Sequence, residues 1–164
     1  MYVTKIFFWL TLFFHLAACS STGSPGKDNN AKNAQDWKVL ISERQCAVSV
    51  PREELIKTQA DFDRIWEQTF KDTDYRPEKP VVNFSEKWII ASYLGEVNTG
   101  GHEIELKEIK TGKDLTTIIV KHIKPGPGCM NSMAIEYPFI MVAVSHFSPD
   151  KVEFKTLSEE QKCE

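Results

Sequence analysis

Two seven-residue runs constrain this chain more than any other feature: Trp88–Leu94 (WIIASYL) and Phe139–Ser145 (FIMVAVS). Side chains alternate across a strand, so a strand with one wet face shows a polar residue at every second position. These runs show almost none, and each therefore requires cover on both faces, as a central strand has. Lesser strands surround them. Lys38–Ser42 reads as the first, and Ala47–Val50 extends it or forms a short second one ended by Pro51. Glu103–Lys107 alternates strictly, so one of its faces meets water. Thr111–Asp114 is a hairpin connection, and Leu115–Ile123 is the β-branched strand that returns from it. Val152–Lys155 makes one more edge strand ahead of a polar tail.

One helix is expected. Thr58 is an N-cap, Asp61 sits at the positive end of the helix dipole, and Phe62, Ile65, Trp66, Thr69 and Phe70 form one apolar stripe. Together these elements predict an α+β fold, a mostly antiparallel sheet of five to seven strands with one main helix packed on it, because hairpin-length connections cannot join parallel neighbours.

The N-terminus is a different material. Met1–Lys5 carries one positive charge, Ile6–Leu16 is apolar, and Leu16-Ala17-Ala18-Cys19 follows. Ile6–Ala18 would reach about 20 Å as a helix, short of the roughly 30 Å of a bilayer's hydrocarbon. The pattern resembles a bacterial lipoprotein signal peptide with its lipobox. It predicts removal of residues 1–18 and acylation of Cys19, where two or more chains give stable anchoring to a membrane. Ser20 in place of Asp favours the outer membrane over the inner one in a Gram-negative cell. The stretch after Cys19, up to residue 35, has no aromatic or large aliphatic side chain, so 19–35 reads as a lipidated terminus and flexible tether of roughly 20 Å reach. Residues 36–164 are left as the globular domain.

Charge narrows the partners. With 20 Lys and Arg against 23 Asp and Glu, a net −3 and no long basic run, the chain lacks the clustered cations that nucleic acid requires. Neither a nucleophile motif, nor a phosphate loop, nor a close His/Cys/carboxylate spacing is present, so no catalytic residue, metal or cofactor is expected. Beyond Cys19 the cysteines are Cys46, Cys129 and Cys163. Outside the inner membrane two of them can pair. Cys46 with Cys129 is favoured because Cys163 lies in a polar tail; Cys129 with Cys163, which would pin that tail, is the alternative.

Two connections carry restrictive backbone chemistry. One is Gly95–His102, with Asn98, Thr99, Gly100, Gly101 and His102 at its end; the other is Pro125, Gly126, Pro127, Gly128, Cys129 and Met130. With Val82–Ser85, the strand Trp88–Leu94 and Tyr137-Pro138-Phe139, these residues resemble the PrcB-like subunits of bacterial extracytoplasmic protease complexes. The similar stretch runs from about Pro80 to Val144. One departure is His102, where such proteins usually carry Tyr. The resemblance implies an accessory lipoprotein of the cell envelope, non-catalytic, that associates with a protease or another envelope protein through these loops. Tyr137, beside them, is a further candidate contact. Asn98-Thr99-Gly100-Gly101 also resembles the loop of chagasin-like cysteine-protease inhibitors, which gives an inhibitor as the alternative. A structural envelope lipoprotein is the third.

Overall fold

The computed structural model describes residues 36–148 and 151–163. The expected signal peptide, Cys19 and the tether lie outside the described residues. The two apolar runs are β3 (Lys87–Tyr93) and β6 (Phe139–Ser145), paired antiparallel from Lys87 opposite Ser145 to Tyr93 opposite Phe139. β1 (Trp37–Glu43) flanks β6 and β2 (Arg52–Ile56) flanks β3, in the order β1-β6-β3-β2. A second sheet holds β4 (Glu103–Thr111), β5 (Thr116–Lys124) and β7 (Val152–Glu160), in the order β4-β5-β7. The described residues contain one helix, α1 (Gln59–Thr69).

Side-chain alternation on β3 and β6 divides the core in two. Ile89, Ala91, Tyr93, Phe139 and Met141 pack with Phe62, Ile65, Trp66 and Phe70 of the helix and its C-cap. Ile90, Ile140, Val142 and Val144 pack with Ile104, Leu106, Ile109, Ile118 and Val120 of the second sheet. The four-stranded sheet is thus the middle of three layers, which is why its central strands are apolar on both faces.

The helix begins where its sequence predicts. Thr58 Oγ1 accepts from the Asp61 amide at 3.1 Å and its hydroxyl donates to Asp61 Oδ2 at 2.7 Å. That hydrogen bond, together with Arg64, holds the Asp61 carboxyl below its usual range. At the other end buried Thr69 meets the Tyr93 hydroxyl at 2.7 Å, so neither polar group is left unsatisfied in the core.

Three expectations are corrected. The strands form two sheets rather than one, and β7 runs parallel to β5, from Thr116 opposite Val152 to Lys124 opposite Glu160. A parallel neighbour is possible because the chain between them crosses into the first sheet as β6, a connection far longer than a hairpin. Ala47–Val50 is not a strand. It is a loop that buries Cys46 and Val48 against the helix-side core, with the Ala47 amide donating to Thr69 O at 2.8 Å, and the strand starts only after Pro51. Last, the tail beyond Lys155 continues as strand to Glu160.

Register also gives the fold two poles. Trp37 lies opposite Val144 and Glu43 opposite Phe139. The chain therefore enters β1 at one end of the sheet, and the β3–β4 and β5–β6 loops leave from the other, about 20 Å away at the rise of a strand.

Candidate functional site

Both candidate loops emerge at this second pole, and they are zipped to each other. Leu94 N donates to Pro138 O at 2.9 Å. Val97 and Glu136 then exchange two backbone hydrogen bonds, at 2.9 and 3.0 Å, as an isolated antiparallel bridge. Farther out, Gly100 N donates to Ser132 O at 2.9 Å. The glycines follow from this contact. Gly101 has φ +86°, and a Cβ there would overlap the Asn131 side chain; one at Gly100 would overlap Ser132 Oγ. Their absence of side chains is used within the chain, by the neighbouring loop.

The Pro-Gly loop is held from its other side by β7. Gln161 N donates to Lys124 O at 2.8 Å, and Gly126 lies so close to the Gln161 carbonyl that any side chain would collide with backbone. Pro125, Gly126, Pro127 and Gly128 lead into Cys129, whose amide donates to Gly126 O at 3.2 Å. Cys129 is bonded to Cys163, with Cα atoms 5.1 Å apart. This corrects the favoured pairing of Cys46 with Cys129. The parallel strand β7 carries Cys163 to the loop pole, whereas Cys46 is free and buried on the helix side. Its thiol lies 3.2 Å from Tyr137 O and 3.8 Å from Val48 O, and burial pushes its pKa up, so it is a structural thiol.

What the pinned loop presents outward is apolar. Met130 is 100% exposed, Met133 88% and Ile135 52%. Met133 and Ile135 are absent from the candidates named from the sequence, although the run Met130–Ile135 shows three large apolar residues in a loop otherwise of Asn, Ser and Ala. Asn98 is exposed as well. Tyr137 is turned the other way: half-buried against the helix-side core, it donates its hydroxyl to Glu96 Oε2 at 3.0 Å, and that contact raises its pKa.

Beneath the glycine pair lie His102 and His122, which join two elements. Thr99 Oγ1 is 3.4 Å from His102 Nε2, and His102 Nδ1 is 3.0 Å from His122 Nε2. His122 stands opposite Ile104 in the β4–β5 register, on the same face of β5 as the core residues Ile118 and Val120. The imidazoles thus cap the loop end of the inter-sheet core. Burial lowers the pKa of both, that of His122 to about 4. Glu136 is buried nearby with Oε2 unpartnered, and its charge opposes the shift at His102.

Two clefts open at this pole and share Arg44 and Glu103. One, of about 460 Å³, is lined by Tyr75, His102, Ile104 and Phe139; the other, of about 360 Å³, by Met130, Asn131, Ser132 and the Cys129–Cys163 bridge. Among the described residues no three His, Cys, Asp or Glu side chains converge as a metal set.

No curated protein and no solved structure matches this chain. Residues 88–145 match the family model described as PrcB C-terminal. The matched stretch begins in β3 and ends with β6, and so contains both loops; Val82–Ser85 and α1 precede it. By that match the β3–β6 segment of this chain, with both loops, is similar to the PrcB C-terminal family.

Proposed function

We propose that this chain is a non-catalytic, lipid-anchored accessory subunit of the bacterial cell envelope that binds an extracytoplasmic protease or another envelope protein through its loop pole. The observation that carries this reading is the β5–β6 loop. It is pinned by Val97, Gln161 and a disulfide, yet it leaves Met130, Met133 and Ile135 in solvent. A fixed backbone that displays thioether and aliphatic side chains loses little entropy on binding and adapts to an apolar partner groove. The PrcB C-terminal match supports a protease-complex subunit. The described chain enters β1 at the end of the sheet opposite the loops, and this supports a reading in which the anchor lies upstream of Trp37.

The test compares envelope extracts from cells that express the wild-type chain or Met130→Asp/Met133→Asp. Wild type is expected to retain a protease or other envelope protein through affinity purification, and the variant to lose it at least tenfold while Val81→Asp, at an exposed site away from the loops, retains it. Equal retention by all three sinks the loop assignment. Labelling with a radiolabelled fatty acid should mark wild type and leave Cys19→Ala unmarked; an unmarked wild type sinks the anchor.

A further inference from the structure

We propose that the His102–His122 pair is an acid-sensitive latch that holds the partner-binding loops in their zipped form at neutral pH and releases them when both rings carry a proton. The inference rests on the reading of the loop pole as the binding surface, and adds its regulation. With nitrogens 3.0 Å apart, one imidazole N–H donates to the lone pair of the other. One added proton leaves that arrangement intact, since an imidazolium still donates to a neutral ring. A second proton places an N–H on both nitrogens, so the bond is lost and two cations face each other at the end of an apolar core.

His102 makes this local event matter. Its two ring nitrogens reach in opposite directions, to Thr99 in the loop and to His122 in β5, so the ring ties the Asn98–Gly101 segment to the sheet. That segment carries the Gly100–Ser132 hydrogen bond and directly follows Val97, whose bridge to Glu136 also positions the β5–β6 loop. The charges around the pair set the threshold. From β5, Lys124 opposes protonation of both rings; from the β5–β6 loop, Glu136 favours it at His102. Across on β7, Ser158 stands opposite His122 and Glu160 opposite Lys124, while Lys121 is occupied by Glu105 and Glu159. Arg44 and Glu103 share a cleft with His102. Burial lowers the affinity of both rings for protons, which puts double protonation in the acid range and leaves the latch closed at pH 7.

The experiment is amide hydrogen exchange of the full chain from pH 7.5 to 4.5, corrected for intrinsic exchange rates. The protection of Val97, Gly100 and Glu136 amides is expected to fall at least tenfold across this range, with Ile90 and Val142 in the central strands unchanged. In His122→Gln, which cannot take up a proton, loop protection should no longer depend on pH. The proposal is overturned if wild-type loop protection is constant, or if it falls equally in His122→Gln. It is also overturned if Glu136→Gln abolishes the fall while His122→Gln keeps it, because the carboxyl would then be the titrating group. No partner is needed for this readout. A fall that follows the histidines, in a protein whose Met130→Asp/Met133→Asp variant retains every partner, upholds the latch and removes the binding role.

Discussion

Removal of the Cys129–Cys163 bridge is the perturbation whose size the structure defines best. The bonded residues are 34 apart in sequence. A cross-link that closes a loop of that length removes about 13 cal/mol/K of chain entropy from the unfolded state, or about 3.8 kcal/mol at 25 °C. β7 keeps its nine-position pairing with β5 without the bridge, so the native fold should survive, with opening concentrated in residues 125–130 and 161–163. For a slope of roughly 2 kcal/mol per molar urea, the unfolding midpoint of Cys129→Ser/Cys163→Ser should fall by about 2 M. Wild type with reductant should match the double variant, and Cys46→Ser should remain reductant-sensitive. A double variant less than about 1 kcal/mol below wild type refutes the entropy argument. Loss of reductant sensitivity in Cys46→Ser refutes the pairing itself.

Other outcomes are expected. His122 takes up protons more readily unfolded, at its ordinary value of 6.5, than folded, at about 4, so its contribution to stability is full above 6.5 and lost as pH falls towards 4. Its partial exposure reduces the roughly 3 kcal/mol of that full displacement to about 1–2 kcal/mol, which acid-range urea melts of wild type and His122→Gln should resolve. Thr58→Ala removes the helix N-cap and should cost about 1 kcal/mol in the same melts. Gly126→Ala sets a methyl against the Gln161 carbonyl and should loosen the β7 end, read as faster exchange of the Gln161 amide. Met130→Asp, at a fully exposed site, should change stability by less than about 0.5 kcal/mol while it weakens partner retention.

The helix was legible from sequence because its signals are local: Thr58, Asp61 and the Phe62–Phe70 stripe lie within thirteen residues and appear in the structure as read. The central strands were legible because burial on both faces writes itself into each strand separately. Pairing was not. The division into two sheets and the parallel docking of β7 depend on residues far apart in the chain, and the exposed edge strand Thr156–Glu160 has the composition of a tail. Cys46 and Val48 show the converse error, as apolar residues spaced like a strand but buried in a loop under the helix end. At the loop pole, glycine and proline mark segments whose close approaches lie within the chain. Gly100, Gly101 and Gly126 serve contacts within the chain, while the exposed Met133 and Ile135 carried no special backbone signal. The histidine pair joins positions twenty residues apart on separate elements, and no spacing rule reaches that far.

The parallel alignment of β7 with β5 also favours an order of assembly within the second sheet. The hairpin of β4 and β5 can form early from neighbouring residues, whereas β7 pairs with β5 across 36 positions, with β6 of the other sheet in between. Contacts of such separation form late, after the closure entropy of the intervening chain has been met. β7 in its docked register carries Cys163 to Cys129, so the covalent bond records the docking of that strand. A chain trapped before this step would show paired β4 and β5, free thiols at both positions, and a loop pole still open.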